Sequence, residues 1–389
     1  MKLAERMSRL GTETAFDVLA KAKALEAGGR NIIHLEIGEP DFDTPKYIKD
    51  AAKKALDEGW THYVPSQGIP DLRDVIANYI ATTRKIQVTR DNVAVTSGAK
   101  PIMWYTLLMF CEKGDEVIYP NPGFPIYESV INFSGAKPVP IPLLEKRNFR
   151  FDLDQFKSLV NDKTKMVIIN SPNNPTGSVL EHEDLVGIAE LAQKYNFVVL
   201  SDEVYDRMLY DKKFESIASL PGMQERTIIL NGFSKTYAMT GWRIGYGVMK
   251  PEWALLVAKL MTNSDSCTCA FIQRAGITAL TSDQSEAEKM MKEFRQRRDL
   301  FINGLNKIPG MSCVMPEGAF YAFPNVQKVR KFSSCKELAD YFLNKSGVAC
   351  LSGTCFGEYG KGYIRFSYAQ SRQRLQEALS RIESALKEL

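Results

Sequence analysis

A lysine, an arginine, a buried acid and a second arginine are the residues of this chain whose types and surroundings suit covalent chemistry on carbonyl compounds. Lys235 lies in Asn231-Gly-Phe-Ser-Lys-Thr-Tyr-Ala-Met-Thr-Gly-Trp-Arg-Ile-Gly245, where a strand ends, small residues turn the chain, and Arg243 follows eight residues later. A lysine amine is a good carbonyl catalyst once its pKa falls from about 10.4 toward neutrality. A strand-end loop is where open α/β sheets bind ligands. Asp202, in Ser201-Asp-Glu-Val-Tyr205, closes an apolar run. An acid in that position needs a partner, because an unpaired buried charge is expensive. Arg365, in Tyr363-Ile-Arg-Phe-Ser-Tyr368, offers the paired donors that fork a carboxylate.

Further stretches occur at comparable places. Ser97-Gly-Ala-Lys100 follows a strand candidate and opens a helix, so its amides and the helix N-terminus suit a phosphate. Ser171-Pro-Asn-Asn-Pro-Thr-Gly177 is a tight turn, and Asn174–Pro175 and Asn121–Pro122 are candidates for cis bonds.

These residues need a scaffold that brings strand ends together. Apolar runs at Val93–Thr96, Glu116–Tyr119, Lys137–Ile141, Met166–Asn170, Val198–Asp202, Thr227–Asn231 and Ile244–Val248 are expected to be strands buried on both faces. Helical segments near 100–112, 125–134, 153–160 and 182–195 alternate with them. That alternation predicts an α/β fold with a mostly parallel central sheet flanked by helices. After residue 280 the rhythm changes. A charged helix over Glu286–Leu305, strands at Gly318–Phe323 and Tyr363–Tyr368 and a helix over Gln373–Lys387 predict a smaller α+β domain. A length of 389 residues calls for two domains. We expect a large domain over 46–285 and a small one from 1–45 with 286–389.

Composition narrows the function. Apolar residues make up 44% and charged residues 25%, with 50 basic and 46 acidic side chains scattered along the chain. That balance argues against a nucleic-acid or membrane partner. No apolar run approaches the roughly 20 residues of a bilayer span, and the first residues lack the apolar stretch of a signal peptide. A cytoplasmic location is expected. Seven cysteines and three distant histidines build no metal site by spacing, and the cysteines are expected to be reduced.

The stretch Gly232-Phe-Ser-Lys-x-x-Ala-Met-x-Gly-x-Arg-Ile-Gly245 resembles the cofactor-attachment pattern of class I and II aminotransferases, fold type I enzymes of pyridoxal 5′-phosphate (PLP), and the likeness extends from Gly38 to Arg365. The aspartate and aromatic aminotransferase subgroups are the most similar. The resemblance implies that Lys235 holds PLP as a Schiff base and carries protons in a ping-pong reaction. It implies that Gly98, Ala99, Lys100, Ser234 and Arg243 contact the cofactor phosphate and that Phe124 stacks on the pyridine ring. Asn174 and Tyr205 would reach the phenolic oxygen, and Asp202 the ring nitrogen. Gly38, Asn174 and Arg365 would meet the substrate. Tyr63, in Thr61-His-Tyr63-x-x-x-x-Gly68, resembles the tyrosine that reaches a partner subunit, which implies a homodimer. The chain departs from the pattern at Gly232, where the family often has a serine. The implied substrates are an amino acid, of aspartate or aromatic/aliphatic type, and a 2-oxo acid such as 2-oxoglutarate. A PLP-dependent lyase or synthase shares the attachment motif and stands as the alternative, with a non-catalytic PLP-binding regulator a remoter one. A dinucleotide enzyme is excluded, since no Gly-x-Gly-x-x-Gly follows the first buried strand.

Overall fold

Seven apolar segments pair into one sheet because each is buried on both faces and has its polar backbone satisfied only by a neighbour. A computed structural model describes residues 1–329 and 331–389. The strands are β1 (Val93–Thr96), β2 (Glu116–Asn121), β3 (Lys137–Pro142), β4 (Thr164–Asn170), β5 (Val198–Asp202), β6 (Thr227–Gly232) and β7 (Gly245–Val248). Their order across the sheet is β1-β7-β6-β5-β4-β2-β3. Every pairing is parallel except those of β7, which runs antiparallel to both β1 and β6. The carboxyl ends of β1, β2, β4, β5 and β6 therefore share one edge of the sheet, and the loops leaving them gather there.

Helices Lys100–Phe110, Ile126–Ser134, Leu153–Leu159 and His182–Tyr195 lie where the sequence alternation places them. Apolar side chains from both faces of the sheet form separate clusters, one with Ile118, Val167 and Val199 and the other with Val117, Met166 and Leu200. Adjacent residues of one strand thus serve opposite layers, as the alternation of strand side chains requires.

Beyond residue 284 the helix Ser285–Leu305, the final helix Arg372–Lys387 and a three-stranded antiparallel sheet surround another apolar cluster. That sheet consists of Leu351–Ser352, Ile364–Ser367 and Tyr321–Ala322. The strand expected over Gly318–Phe323 shortens to Tyr321–Ala322. Ala319 sits at φ 55°, outside the extended region, and Gly318 pairs instead with Leu209. The N-terminal segment adds no strand to the central sheet: Ile33–His34 pairs in parallel with Val348–Ala349. The bonds Asn121–Pro122 and Asn174–Pro175 are cis, as is Ser171–Pro172. The seven cysteines are free thiols, with Cys111, Cys313, Cys335 and Cys350 buried.

One ionic cluster fixes the far side of β5. Arg84 ends the helix Pro70–Arg84 and is 4% exposed. Its Nε donates to Glu203 at 2.9 Å, and its Nη2 to Asp206. Glu203 is fully buried, and its second oxygen accepts from the hydroxyls of Ser201, at 3.0 Å, and Ser216, at 2.5 Å. Removing one member of such a cluster leaves uncompensated buried charge. Arg84→Met is expected to lower the unfolding free energy by about 3–5 kcal/mol, read as a lower urea midpoint at unchanged slope.

Candidate active site

The strand-end loops close around a cavity of about 540 Å³. Lys235 lies on its wall, in the turn that leaves β6. Ala238 at φ 50° and Arg243 at φ 55° bend this turn back into β7. Non-glycine residues persist in that left-handed region where the surrounding packing holds them there. Lys235 Nζ donates to the Gly38 carbonyl oxygen at 2.5 Å. Its cation also lies within 6 Å of the ring centres of Tyr205 and Phe320. Burial disfavours the charged amine and lowers its pKa to about 8.

Asp202, the last residue of β5, is 7% exposed. Burial raises its pKa to about 6, against hydrogen bonds that favour the ionised form. Those bonds come from the Tyr127 hydroxyl at 2.5 Å and the Val204 amide at 3.3 Å. Among the described residues no cation forms an ion pair with it. Tyr127, on the helix that follows β2, also sets its ring edge-on to Phe124 at 5.6 Å.

The loop after β1 meets Arg243 at closest range. A Cβ on Gly98 (φ 90°) would stand 2.2 Å from Arg243 Nη2, and one on Gly245 2.4 Å from the Ala99 nitrogen. Glycine is required at both places to let these segments approach. The Gly98 amide is already used, donating to Thr96 at 2.8 Å. Gly98 therefore contributes space rather than a free N–H. The amides of Ala99 and Lys100 stand at the helix start, where no intrahelical acceptor exists. Ser234 also lines this part of the cavity. Arg243 Nη1 donates to Thr240 at 2.7 Å.

The opposite wall comes from the C-terminal half. Arg365 is 4% exposed. Its Nη1 donates to Asn174 Oδ1 at 3.1 Å and its Nη2 to the Glu36 carbonyl, while its buried Nε has no partner among the described residues. The guanidinium lies over the rings of Tyr321, at 4.5 Å, and Phe356, at 4.8 Å. The Asn174 amide is tied to Asn170 Oδ1 at 2.8 Å, which fixes the turn. Gly38 faces Tyr321, whose hydroxyl a Cβ would meet at 2.2 Å.

Of the residues singled out from the sequence, Gly38, Ala99, Lys100, Phe124, Asn174, Asp202, Tyr205, Ser234, Lys235, Arg243 and Arg365 all line this cavity, and Gly98 backs it. Tyr63 does not: it stands on the surface, 88% exposed. The Tyr205 hydroxyl pairs with that of Tyr321 at 2.7 Å, and Tyr205 and Asn174 both line the cavity. Lys100 is held by Glu13 at 2.7 Å. Tyr127, Tyr321, Glu13 and Phe16 belong to the lining and were not found from the sequence. Tyr127 had one signal: it lies three residues beyond Phe124, at the start of the helix Ile126–Ser134.

Residues 30–382 match the family Aminotransferase class I and II. The chain is 41% identical to the aspartate aminotransferase of Pyrococcus horikoshii over 99% of its own length and 97% of that protein's. It is 40% identical to aromatic-amino-acid aminotransferase 2 of Thermococcus litoralis, over 100% and 99%. Among solved structures, the aspartate aminotransferase from Thermus thermophilus with maleate superposes with a TM-score of 0.95 at 34% identity, covering 99% of this chain and all of that one. The chain belongs to the class I and II aminotransferases. It is a PLP-dependent transaminase, and the family favours amino-group transfer over the lyase alternative.

The cavity suits that cofactor on its own geometry. Asp202 and Lys235 line the same cavity as Arg365, whose buried Nε has no acceptor among the described residues. Two consequences are measurable. In protein free of cofactor, borohydride fixation of an aldehyde on Lys235 should rise with pH through a midpoint near 8, since the neutral amine is the nucleophile, rather than near 10.5. Tyr127→Phe removes a bond that favours ionised Asp202, so the Asp202 carboxyl ¹³C resonance should titrate above its starting value of about 6.

Proposed function

We propose that Lys235 is the covalent anchor of PLP and the proton carrier of amino-group transfer in this cavity. The observation that carries the reading is one amine of pKa about 8 placed in the same cavity as a buried carboxylate and a buried arginine. When bound, PLP supplies an electron sink for the charge left by the α-proton of an amino acid.

The chain's residues divide the remaining work. Asp202 would hold the protonated ring nitrogen, and Phe124 would present its face to the ring. The amides of Ala99 and Lys100, the Ser234 hydroxyl and the Arg243 guanidinium would bind the phosphate, with Gly98 opening the approach. Asn174 would donate to the phenolic oxygen. Arg365, whose Nε lacks an acceptor, would fork the α-carboxylate of the substrate beside Asn174 and Gly38. That grip orients the α-hydrogen toward Lys235 Nζ. Near neutral pH the amine takes up that proton and gives one back, acting as base and then as acid. Walls supplied by Tyr205, Tyr321 and Met103 keep water from the exchange.

The donors proposed are aspartate and aromatic or aliphatic L-amino acids, with a 2-oxo acid such as 2-oxoglutarate as acceptor, in line with the names of the relatives. The working unit proposed is a homodimer, supported by the exposure of Tyr63, whose ring would complete a partner's phosphate site. The same reading divides the chain into a large part over 46–285 and a small part from 1–45 with 286–389. It places the protein in the cytoplasm; among the described residues no helix is long and apolar enough to cross a membrane.

Reconstitution with PLP tests the assignment. Borohydride should fix the cofactor on Lys235 of the parent protein, as read by peptide mass. Lys235→Ala should bind PLP without that bond and lose amino transfer from aspartate and phenylalanine to 2-oxoglutarate. Full turnover in that variant would overturn the reading. Arg365→Lys, which loses the planar fork, should weaken donor use by about 1.5–3 kcal/mol in kcat/KM, read from initial rates.

A further inference from the structure

We infer that Glu13 is a specificity-determining residue: its carboxylate occupies the cavity cation Lys100 and biases the enzyme away from donors with an acidic side chain. This inference rests on the reading above, in which Arg365 takes the α-carboxylate.

Among the described residues four cations line the cavity: Lys100, Lys235, Arg243 and Arg365. Three of them are engaged by the backbone or by a neutral amide. Lys235 is on the Gly38 carbonyl, Arg243 on the Thr240 carbonyl, and Arg365 on Asn174 and the Glu36 carbonyl. Lys100 alone is matched by a carboxylate, Glu13 Oε2, at 2.7 Å. Its ammonium also lies 5.2 Å from the ring centre of Phe124. Lys100 is therefore the cation with which a second substrate carboxylate would pair, and Glu13 already stands there.

The chain builds this contact deliberately far from Lys100 in sequence. The segment before the helix Ala15–Ala27 is tied down on the helix Ile126–Ser134. The Gly11 amide donates to Ser129 Oγ at 2.9 Å, and Arg9 Nε to the Asn132 carbonyl at 2.9 Å. That anchoring sets Glu13, Ala15 and Phe16 along the cavity wall. The Glu13 side chain is 24% exposed and that of Lys100 45%. In open solvent such a pair is screened and weak. A bound substrate displaces water, and the same charges then act more strongly. An acidic donor must part Glu13 from Lys100 or lie against a second negative charge. A neutral aromatic donor meets a closed ion pair and the apolar faces of Phe16 and Met103. Discrimination of this kind uses repulsion as well as attraction.

The test compares full-length, PLP-loaded protein with its Glu13→Gln variant. Single-turnover half-reactions with aspartate and with phenylalanine are followed by absorbance without any 2-oxo acid, so that only donor choice is read. The ratio of the aspartate to the phenylalanine rate constant, each as kcat/KM, is expected to rise about tenfold in the variant. The rise should shrink in 0.5 M KCl. In a Lys100→Met background the Gln substitution should move the ratio little. A ratio that stays constant or falls, or a full rise in the absence of Lys100, would overturn the inference. A purely structural role of Glu13 would change both donors in parallel and leave the ratio fixed. If the parent protein reacts with neither donor, the failure lies with the proposed function instead.

Discussion

Burying a carboxylate at the end of β5 is the constraint around which the rest of the site is arranged. Desolvation works against the charge on Asp202, and no side-chain cation pairs with it among the described residues. The strand end must still be held rigid, since a mobile acid would recover water. Two devices hold it. Tyr127 reaches in from the helix after β2 and donates to the carboxylate. On the other side, Glu203 and Asp206 are clamped by Arg84. Glu203, the residue after the strand, thus carries a full ionic cluster, while Asp202 lines the cavity with no side-chain cation beside it among the described residues. Buried polar groups are usually satisfied by the protein itself. The Arg365 Nε, buried and without an acceptor among the described residues, marks a place prepared for a ligand.

The same exclusion of water acts with opposite sign on the two central titrating groups. It pushes the Asp202 acid up to about 6 and the Lys235 amine down to about 8. Both move toward neutrality, which is where proton transfer by a single group is most effective. No special hydrogen bond is needed for the lysine; its acceptor is a backbone carbonyl, that of Gly38. The architecture makes this possible by collecting five strand ends on one edge and roofing them with a wall from the C-terminal half.

Much of this was legible in the residues. The buried strands read correctly because parallel strands covered on both faces are continuous apolar runs, and each boundary fell within two residues. The attachment stretch around Lys235, the turn at Asn174 and the acid at Asp202 carry local patterns, so they could be placed without coordinates. What escaped has no local pattern. Tyr321 enters from a strand of two residues, cut short by the left-handed Ala319. Glu13 and Phe16 come from a segment that meets the cavity only because Arg9 and Gly11 fasten it to a distant helix. Gly98 was read as an amide donor, whereas its amide is spent on Thr96 and its missing side chain is what admits Arg243. These are facts of three-dimensional approach, and spacing along the chain does not encode them.

The pairing of Ile33–His34 with Val348–Ala349 also has a bearing on the birth of the molecule. These segments are adjacent in space yet separated by most of the gene's reading. At synthesis rates of about 5–20 residues per second, the first waits roughly 15–60 s before the second exists. For all of that interval Gly38, a few residues beyond the waiting segment, has no Arg365 to face, and for most of it no Tyr321. The nascent chain can assemble its large sheet early, but its cleft stays half-walled until Arg365 has left the ribosome. Completion of the site therefore waits on residues that follow the large sheet in the order of synthesis.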